Sequence, residues 1–196
     1  LLLTLRGTPY VYQGDEIGMT NIAHDSIDLY DDVETRNAWK AAEAAGKDMG
    51  KFLKAVHWQS RDNARTPMQW DATPQAGFTA GKPWIPVNEN YPSINVAAAE
   101  KDPNSILHYY RKMIAFRKAH LTLVYGDFED LLPEHPQLYC YRRWDEEASF
   151  IMVHNFSDQP TSWALPEGNY DFMLGNYVEQ QNGALAPWES RVYRLS

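Results

Sequence analysis

Ser60-Arg61-Asp62-Asn63-Ala64-Arg65-Thr66-Pro67-Met68-Gln69-Trp70 organises the reading of the whole chain. Two arginines four apart stand beside an acid, two amides and a tryptophan, with Pro67 fixing the backbone among them. A guanidinium is a planar fork of donors, and an aromatic face nearby suits a polyhydroxylated ligand or a carboxylate. The competing reading is structural: Arg61 and Arg65 forming ion pairs beneath a long loop. Both readings stay open on these residues alone.

Composition narrows the class. The 196 residues carry 44% hydrophobic and 13% aromatic content, enough for a globular core in one large or two small domains. A net charge of −8, with 18 scattered Lys and Arg, argues against nucleic acid as a partner, because phosphates call for a basic patch. The single Cys140 excludes an internal disulfide framework and fits a reducing, cytoplasmic compartment. Its flanks, Leu138-Tyr139-Cys140-Tyr141, read as a strand, which predicts a buried, inert thiol. Leu1-Leu2-Leu3-Thr4-Leu5-Arg6-Gly7 lacks an initiator Met and is too short to span a membrane, so no membrane partner is expected. It reads as a connection leading straight into a strand, and the expectation is a C-terminal piece of a longer protein.

Residues 8–13 predict a buried strand ended by Gly14. The polar run 21–32, with Asp25, Asp28, Asp31 and Asp32, predicts a solvated loop. It lacks the central Gly and closing Glu of a calcium loop, so no metal is expected. Asp31 or Asp32 caps a helix that ends before Gly46, and a second helix runs from Asp48 to about His57. Residues 58–95 carry five prolines, and a loop this long must bury something to stay ordered, which favours packing for Trp70, Phe78 and Trp84, with stacking of one tryptophan on a sugar as the sharper alternative. Asn95 caps a short helix, and Asp102-Pro103 opens a longer one to about Ala119. From Leu121 the period changes. Short β-rich runs at 124–131, 138–144, 150–156, 161–165, 170–174, 183–185 and 190–195 alternate with turn clusters, which argues an antiparallel sandwich. The boundary falls near residue 121.

The stretch from Arg61 to Trp70 resembles the signature that follows the last barrel strand in oligosaccharide-cleaving members of the alpha-amylase family, family 13 of the glycoside hydrolases. Gly7-Thr8-Pro9-Tyr10-Val11-Tyr12-Gln13-Gly14-Asp15-Glu16-Ile17-Gly18-Met19-Thr20-Asn21 is similar to its eighth strand and loop, and Ala76-Gly77-Phe78-Thr79 with Pro83-Trp84 to the segment beyond. By motif the nearest branches are oligo-1,6-glucosidases, dextran glucosidases, trehalose-6-phosphate hydrolases and sucrose isomerases. The implied fold is α/β then all-β. Residues 1–120 form the last βα unit of a (β/α)8 TIM barrel with its active-site loop, and residues 121–196 a C-terminal β-sandwich. In such a barrel the loops after strand ends face the active site.

The implied function is that of a retaining, exo-acting α-glucosidase acting on an oligosaccharide substrate without cofactor. Glycoside cleavage needs two carboxyl groups at the scissile bond. Residue types alone offer Asp15, Glu16 and Glu34. The resemblance instead places the catalytic carboxylates on earlier barrel strands whose motifs are missing, so the chain by itself is expected to be inactive and to need the N-terminal barrel portion as its partner. Arg61 matches the arginine that contacts the non-reducing-end glucose, and Glu34 an acidic residue near the neighbouring sugar. Arg65 reads as a loop brace, and Asp15 and Glu16 as structural acids pairing with arginines such as Arg65. His24, in the acidic loop, could face substrate, but a lone histidine is a weak signal and the structural reading stands beside it. The rival hypotheses are a sucrose isomerase fragment and a non-catalytic carbohydrate-binding or structural module, the module using Trp144, Trp163 or Trp188 as its platform. A lone βα unit cannot close a barrel, so residues 121–196 should fold better than 1–120.

Overall fold

The computed structural model describes residues 1–196, which divide into two compact units, 11–110 and 1–10 with 111–196. The first unit is helical. Helix α1 (Val33–Ala44) is capped by Asp32, not Asp31, and Gly46 follows it in the left-handed region at φ 64°. Helix α2 (Met49–Gln59) is capped by Asp48, whose carboxylate accepts from Lys51 N. The two helices meet where the Trp39 ring stands edge-on to Phe52 at 5.9 Å. Ile22, Tyr30 and Val56 make the buried centre of this unit.

Helix α3 (Val96–Lys101) is capped by Asn95 as its sequence predicts. The following helix, α4 (Ile106–Ala119), starts later than the Asp-Pro signal predicts. Asp102 ends α3 instead, with its carboxylate accepting from Asn104 N at 2.9 Å, and Ser105 Oγ takes His108 N at 3.3 Å. A serine hydroxyl that captures a first-turn amide overrides a proline that merely tolerates a helix start.

Residues 8–13 are irregular chain, not the predicted strand. Their composition suits a parallel strand, but such a strand needs neighbours for its N–H and C=O groups. Every ladder in the chain is antiparallel and lies beyond residue 126, so no partner exists for it here.

The second unit holds the sheets. Short α5 (Thr122–Tyr125) precedes β1 (Asp127–Asp130), β2 (Leu138–Trp144), β3 (Ser149–Asn155), β4 (Thr161–Ser162), β5 (Tyr170–Gly175), β6 (Ala184–Leu185) and β7 (Ser190–Leu195). A five-stranded sheet runs β1-β2-β3-β7-β5, and β4 pairs with β6 as a separate ribbon. The run predicted as a strand over 124–131 is therefore a helical turn and then an edge strand. Gly126 permits the corner, because a Cβ there would lie 2.5 Å from Thr122 O and 2.7 Å from Trp144 O. Strand β3 is central and buried on both faces, which accounts for its unbroken apolar run Phe150-Ile151-Met152-Val153. Ile151 and Val153 pack with Leu138, Cys140, Tyr193 and Leu185, a residue of the β4–β6 ribbon. Phe150 and Met152 pack on the other face with Tyr141, Val192 and Leu123.

Two of the buried arginines tie this unit together through backbone carbonyls. Arg143 is fully buried and donates to the carbonyls of Thr4, Thr122, Leu123, Gly126 and Asp127 at 2.9–3.2 Å. Arg117 donates to those of Leu3, Leu5, Gly7 and Leu123. All five N–H directions of Arg143 thus meet backbone oxygens, so the charge is solvated by carbonyl dipoles in place of water.

Candidate functional site

The candidate residues are built on Asp62. Ser60 Oγ accepts from Asp62 N at 3.3 Å and starts the one-turn 3-10 helix Arg61–Ala64. The Asp62 side chain is fully buried. Its Oδ2 accepts from Asp31 N at 2.6 Å and Asp32 N at 3.1 Å, and its Oδ1 from Arg65 Nη2. One carboxylate therefore ties the segment before α1 to the arginine stretch. Arg65 spends its charge on this pair and lies over the Trp84 ring, 5.3 Å from its centroid. A guanidinium held by a buried acid and stacked on an indole braces a loop.

Asp32 is the second organiser, 3% exposed. Its Oδ1 accepts from Arg61 Nη2 at 2.6 Å, Arg61 Nε at 3.1 Å and Glu34 N at 3.3 Å. Its Oδ2 accepts from Thr35 Oγ1 at 2.8 Å and Arg61 N at 3.4 Å. The Arg61 guanidinium holds the Asp32 carboxyl at about 2, outweighing the opposite push of burial. Arg61 itself is open to solvent, its side chain 65% exposed, and its Nη2 lies 3.7 Å from Glu34 Oε2. Asp32, Glu34 and Arg61 line one cleft of about 210 Å³, floored by Phe52 and Val56. The structure thus brings Arg61 and Glu34 together, though they are far apart in sequence.

Asp15 and Glu16 stand apart from this pair. Asp15 Oδ2 accepts from Tyr12 N at 3.2 Å and Glu16 Oε2 from Gly14 N at 2.8 Å, so each closes its own turn. The expected pairing with Arg65 does not occur, because Asp62 already occupies that guanidinium. The turn forces Gly14 to φ 97°, and a Cβ there would meet Met19 Sδ at 2.7 Å. Asp15 lines a different cleft of about 210 Å³, with Tyr12, Asn21, Asn63 and Thr66. Asp15 and Glu34 are therefore not carboxylates of one pocket.

Two further readings change. His24 is only 8% exposed, packed edge-on to Tyr30 at 5.4 Å, with burial holding its imidazole below its ordinary value. It lines neither of the two clefts. Trp70, Phe78 and Trp84 are 49%, 49% and 69% exposed, so they do not pin the loop by burial. Amides do that work: Gln69 Nε2 donates to Asn90 Oδ1 and Ile94 O, and Asn88 Nδ2 to Thr20 O at 3.0 Å and Asn21 O at 3.2 Å. Buried amides carry little signal in sequence, since nothing in their spacing names their partners. Of the three sandwich tryptophans only Trp188 is exposed, while Trp163 packs on Tyr193 and Trp144 lies under Arg142. Cys140 is buried, and desolvation pushes its thiol up to about 12, as its strand setting predicts. No helix is long and apolar enough to cross a membrane.

Comparison with known proteins adds identity to this geometry. A family model described as the catalytic domain of alpha amylase matches residues 1–126, and one described as a beta-galactosidase C-terminal domain matches residues 140–195. The chain is 45% identical over 201 residues to an oligo-1,6-glucosidase of Parageobacillus thermoglucosidasius, covering 97% of the chain and 36% of that protein. It is 43% identical over 177 residues to a trehalose-6-phosphate hydrolase of Escherichia coli, covering 89% and 32%. Among solved structures, a Bacillus licheniformis trehalose-6-phosphate hydrolase superposes with a TM-score of 0.94 at 37% identity, covering 99% of this chain and 37% of that one. An isomaltulose synthase from a Klebsiella species superposes at 0.90 with 37% identity, covering 100% and 36%. The chain thus spans about a third of the length of these relatives.

Proposed function

The chain belongs to the alpha-amylase family of glycoside hydrolases, and from that premise we propose that it is the C-terminal portion of a retaining, exo-acting α-glucosidase. Its substrates are short α-glucosides, of the isomaltose type or trehalose-6-phosphate. Residues 1–120 supply the end of the catalytic barrel and 121–196 the sandwich that closes it. The end of the family match at residue 126 supports that boundary. The catalytic carboxylates lie on the N-terminal barrel portion, which is the partner this chain requires. The enzyme is cytoplasmic, which accords with a lone buried cysteine.

One observation carries the reading. Arg61 is fixed at its root by Asp32 yet exposed at the mouth of a cleft it shares with Glu34. An exposed guanidinium with a pinned root offers directed donors to the hydroxyls of a terminal sugar. Selection of a chain end makes the enzyme exo-acting. The sucrose isomerase reading stands beside it, since the isomaltulose synthase superposes at the same 37% identity.

The test is hydrolysis of p-nitrophenyl α-glucoside by the 196-residue chain and by the whole protein that carries it. Turnover by the whole protein, none by the chain, and a raised KM on Arg61→Ala is the expected pattern. Turnover by the chain alone, lost on Glu16→Gln or Glu34→Gln, overturns it. Isomerised disaccharide as the main product from sucrose would select the isomerase branch.

A further inference from the structure

We propose that Asp32 is a positioning residue for substrate: it orients the Arg61 guanidinium, and through the first turn of α1 it orients Glu34 against the same group. This inference rests on the reading of Arg61 as a sugar contact.

Three observations lead there. First, Asp32 grips Arg61 at both ends. The backbone N–H reaches Oδ2 at 3.4 Å, and Nε with Nη2 reach Oδ1 at 3.1 and 2.6 Å. An arginine side chain this exposed otherwise samples many rotamers, at an entropy cost of roughly 2 kcal/mol on binding. Here one edge of the fork is already committed, and Nη1 makes no hydrogen bond within the chain. Second, Asp32 is itself immobilised. Its amide donates to buried Asp62, and its carboxylate caps α1 by accepting from Glu34 N and Thr35 Oγ1. The placement of the fork is thereby inherited from a helix terminus and a buried acid, which suits a contact needing sub-ångström accuracy. Third, the cap sets Glu34 in the first turn of α1, 3.7 Å from Arg61 Nη2.

The charge of this cluster names its ligand chemistry. Two carboxylates face one guanidinium, a formal balance of −1. Arg61 is already compensated, and a phosphate or carboxylate at this contact would meet Asp32 and Glu34 as like charges. Neutral vicinal hydroxyls meet no such penalty: they accept from the free guanidinium edge and donate to Glu34. Any phosphate on the substrate must lie away from this contact.

The test uses the whole enzyme with Asp32→Asn and Asp32→Ser, each alone and combined with Arg61→Ala. Asparagine and serine both serve as helix caps, so α1 is kept while the grip on Arg61 loses its charge in Asp32→Asn and its reach in Asp32→Ser. The expected result is a fall in kcat/KM of about tenfold or more, carried mainly by KM. That fall should vanish in the Arg61→Ala background, with the melting temperature little changed. An equal fall with and without Arg61, tracking a lower melting temperature, makes Asp32 a structural cap only and overturns the inference. Two intact catalytic profiles for Asp32→Asn and Asp32→Ser beside an impaired Arg61→Ala also overturn it, while leaving the proposed function standing. If Arg61→Ala leaves KM unmoved, Arg61 is no sugar contact, and the functional reading fails together with the inference built on it.

Discussion

Replacing Asp62 by asparagine tests the central brace of the site with a change of almost no volume. The wild-type carboxylate accepts on both oxygens, from Arg65 Nη2 on one side and from the Asp31 and Asp32 amides on the other. An amide has one accepting oxygen and one donating nitrogen. Whichever way the new side chain turns, its NH2 faces a donor at a site with no solvent access. The loss combines a charge-assisted hydrogen bond, worth about 1.5–3 kcal/mol, with a buried unsatisfied donor costing about 1–3 kcal/mol. The sum is roughly 3–5 kcal/mol, concentrated in residues 31–32 and 61–65. Hydrogen exchange is the suitable assay, because it resolves local opening. A local loss of about 3 kcal/mol should raise exchange of the Asp31 and Asp32 amides about a hundredfold. Amides of β3 should be unaffected. Asp62→Asn with unchanged protection at Asp31 and Asp32 would refute the reasoning, because it would mean that those amides do not depend on an acceptor at position 62.

Other measurements bear on the same structure. Limited proteolysis of the chain should cut within residues 11–110 before the sheet of β1–β7, since the helical unit lacks a ladder and the central strand β3 is buried on both faces; first cuts in β2 or β3 would contradict this. Cys140, its thiol raised by burial to about 12, should resist a thiol reagent at pH 8 until urea unfolds the sheet, and prompt labelling of the folded chain would be the contrary result. Burial also pushes His154 down to about 3, with its Nδ1 paired to Ser190 Oγ at 2.7 Å. Below its ordinary value near 6.5 the unfolded chain takes up a proton that the folded chain refuses, so stability is full above that pH and falls on acidification, by roughly 3 kcal/mol at pH 4. The urea midpoint should follow this slope in the wild type and lose most of it in His154→Phe; equal slopes would exclude His154 as the source.

The strands show what one-dimensional pattern resolves. β2 and β7 were readable to the residue, and β3 and β5 to within one, because alternation and turn clusters are local properties of the chain. The caps Asp32, Asp48 and Asn95 were legible for the same reason. The failures share a different cause. Residues 8–13 have the composition of a strand and lack one only because a ladder needs a second strand. Trp70, Phe78 and Trp84 read as anchors by size, yet the anchoring falls to Gln69 and Asn88, whose partners lie about twenty or more residues away.

By itself the sequence determined the family, through Arg61 to Trp70 and the segment from Gly7 to Asn21, together with the change from helical to β period near residue 121. It also carried Arg61 and Glu34 as the residues to watch. Only the tertiary structure decided what holds them. It placed Asp32 and Asp62, which sequence offers as a helix cap and an unremarked acid, at the roots of both arginines. It named Asp62 as the acid that holds Arg65 and left Arg61 open. The physical reason is that motifs and caps are set by neighbours along the chain, whereas a carboxylate chooses its guanidinium by distance in space, and nearly thirty residues separate Asp32 from Arg61.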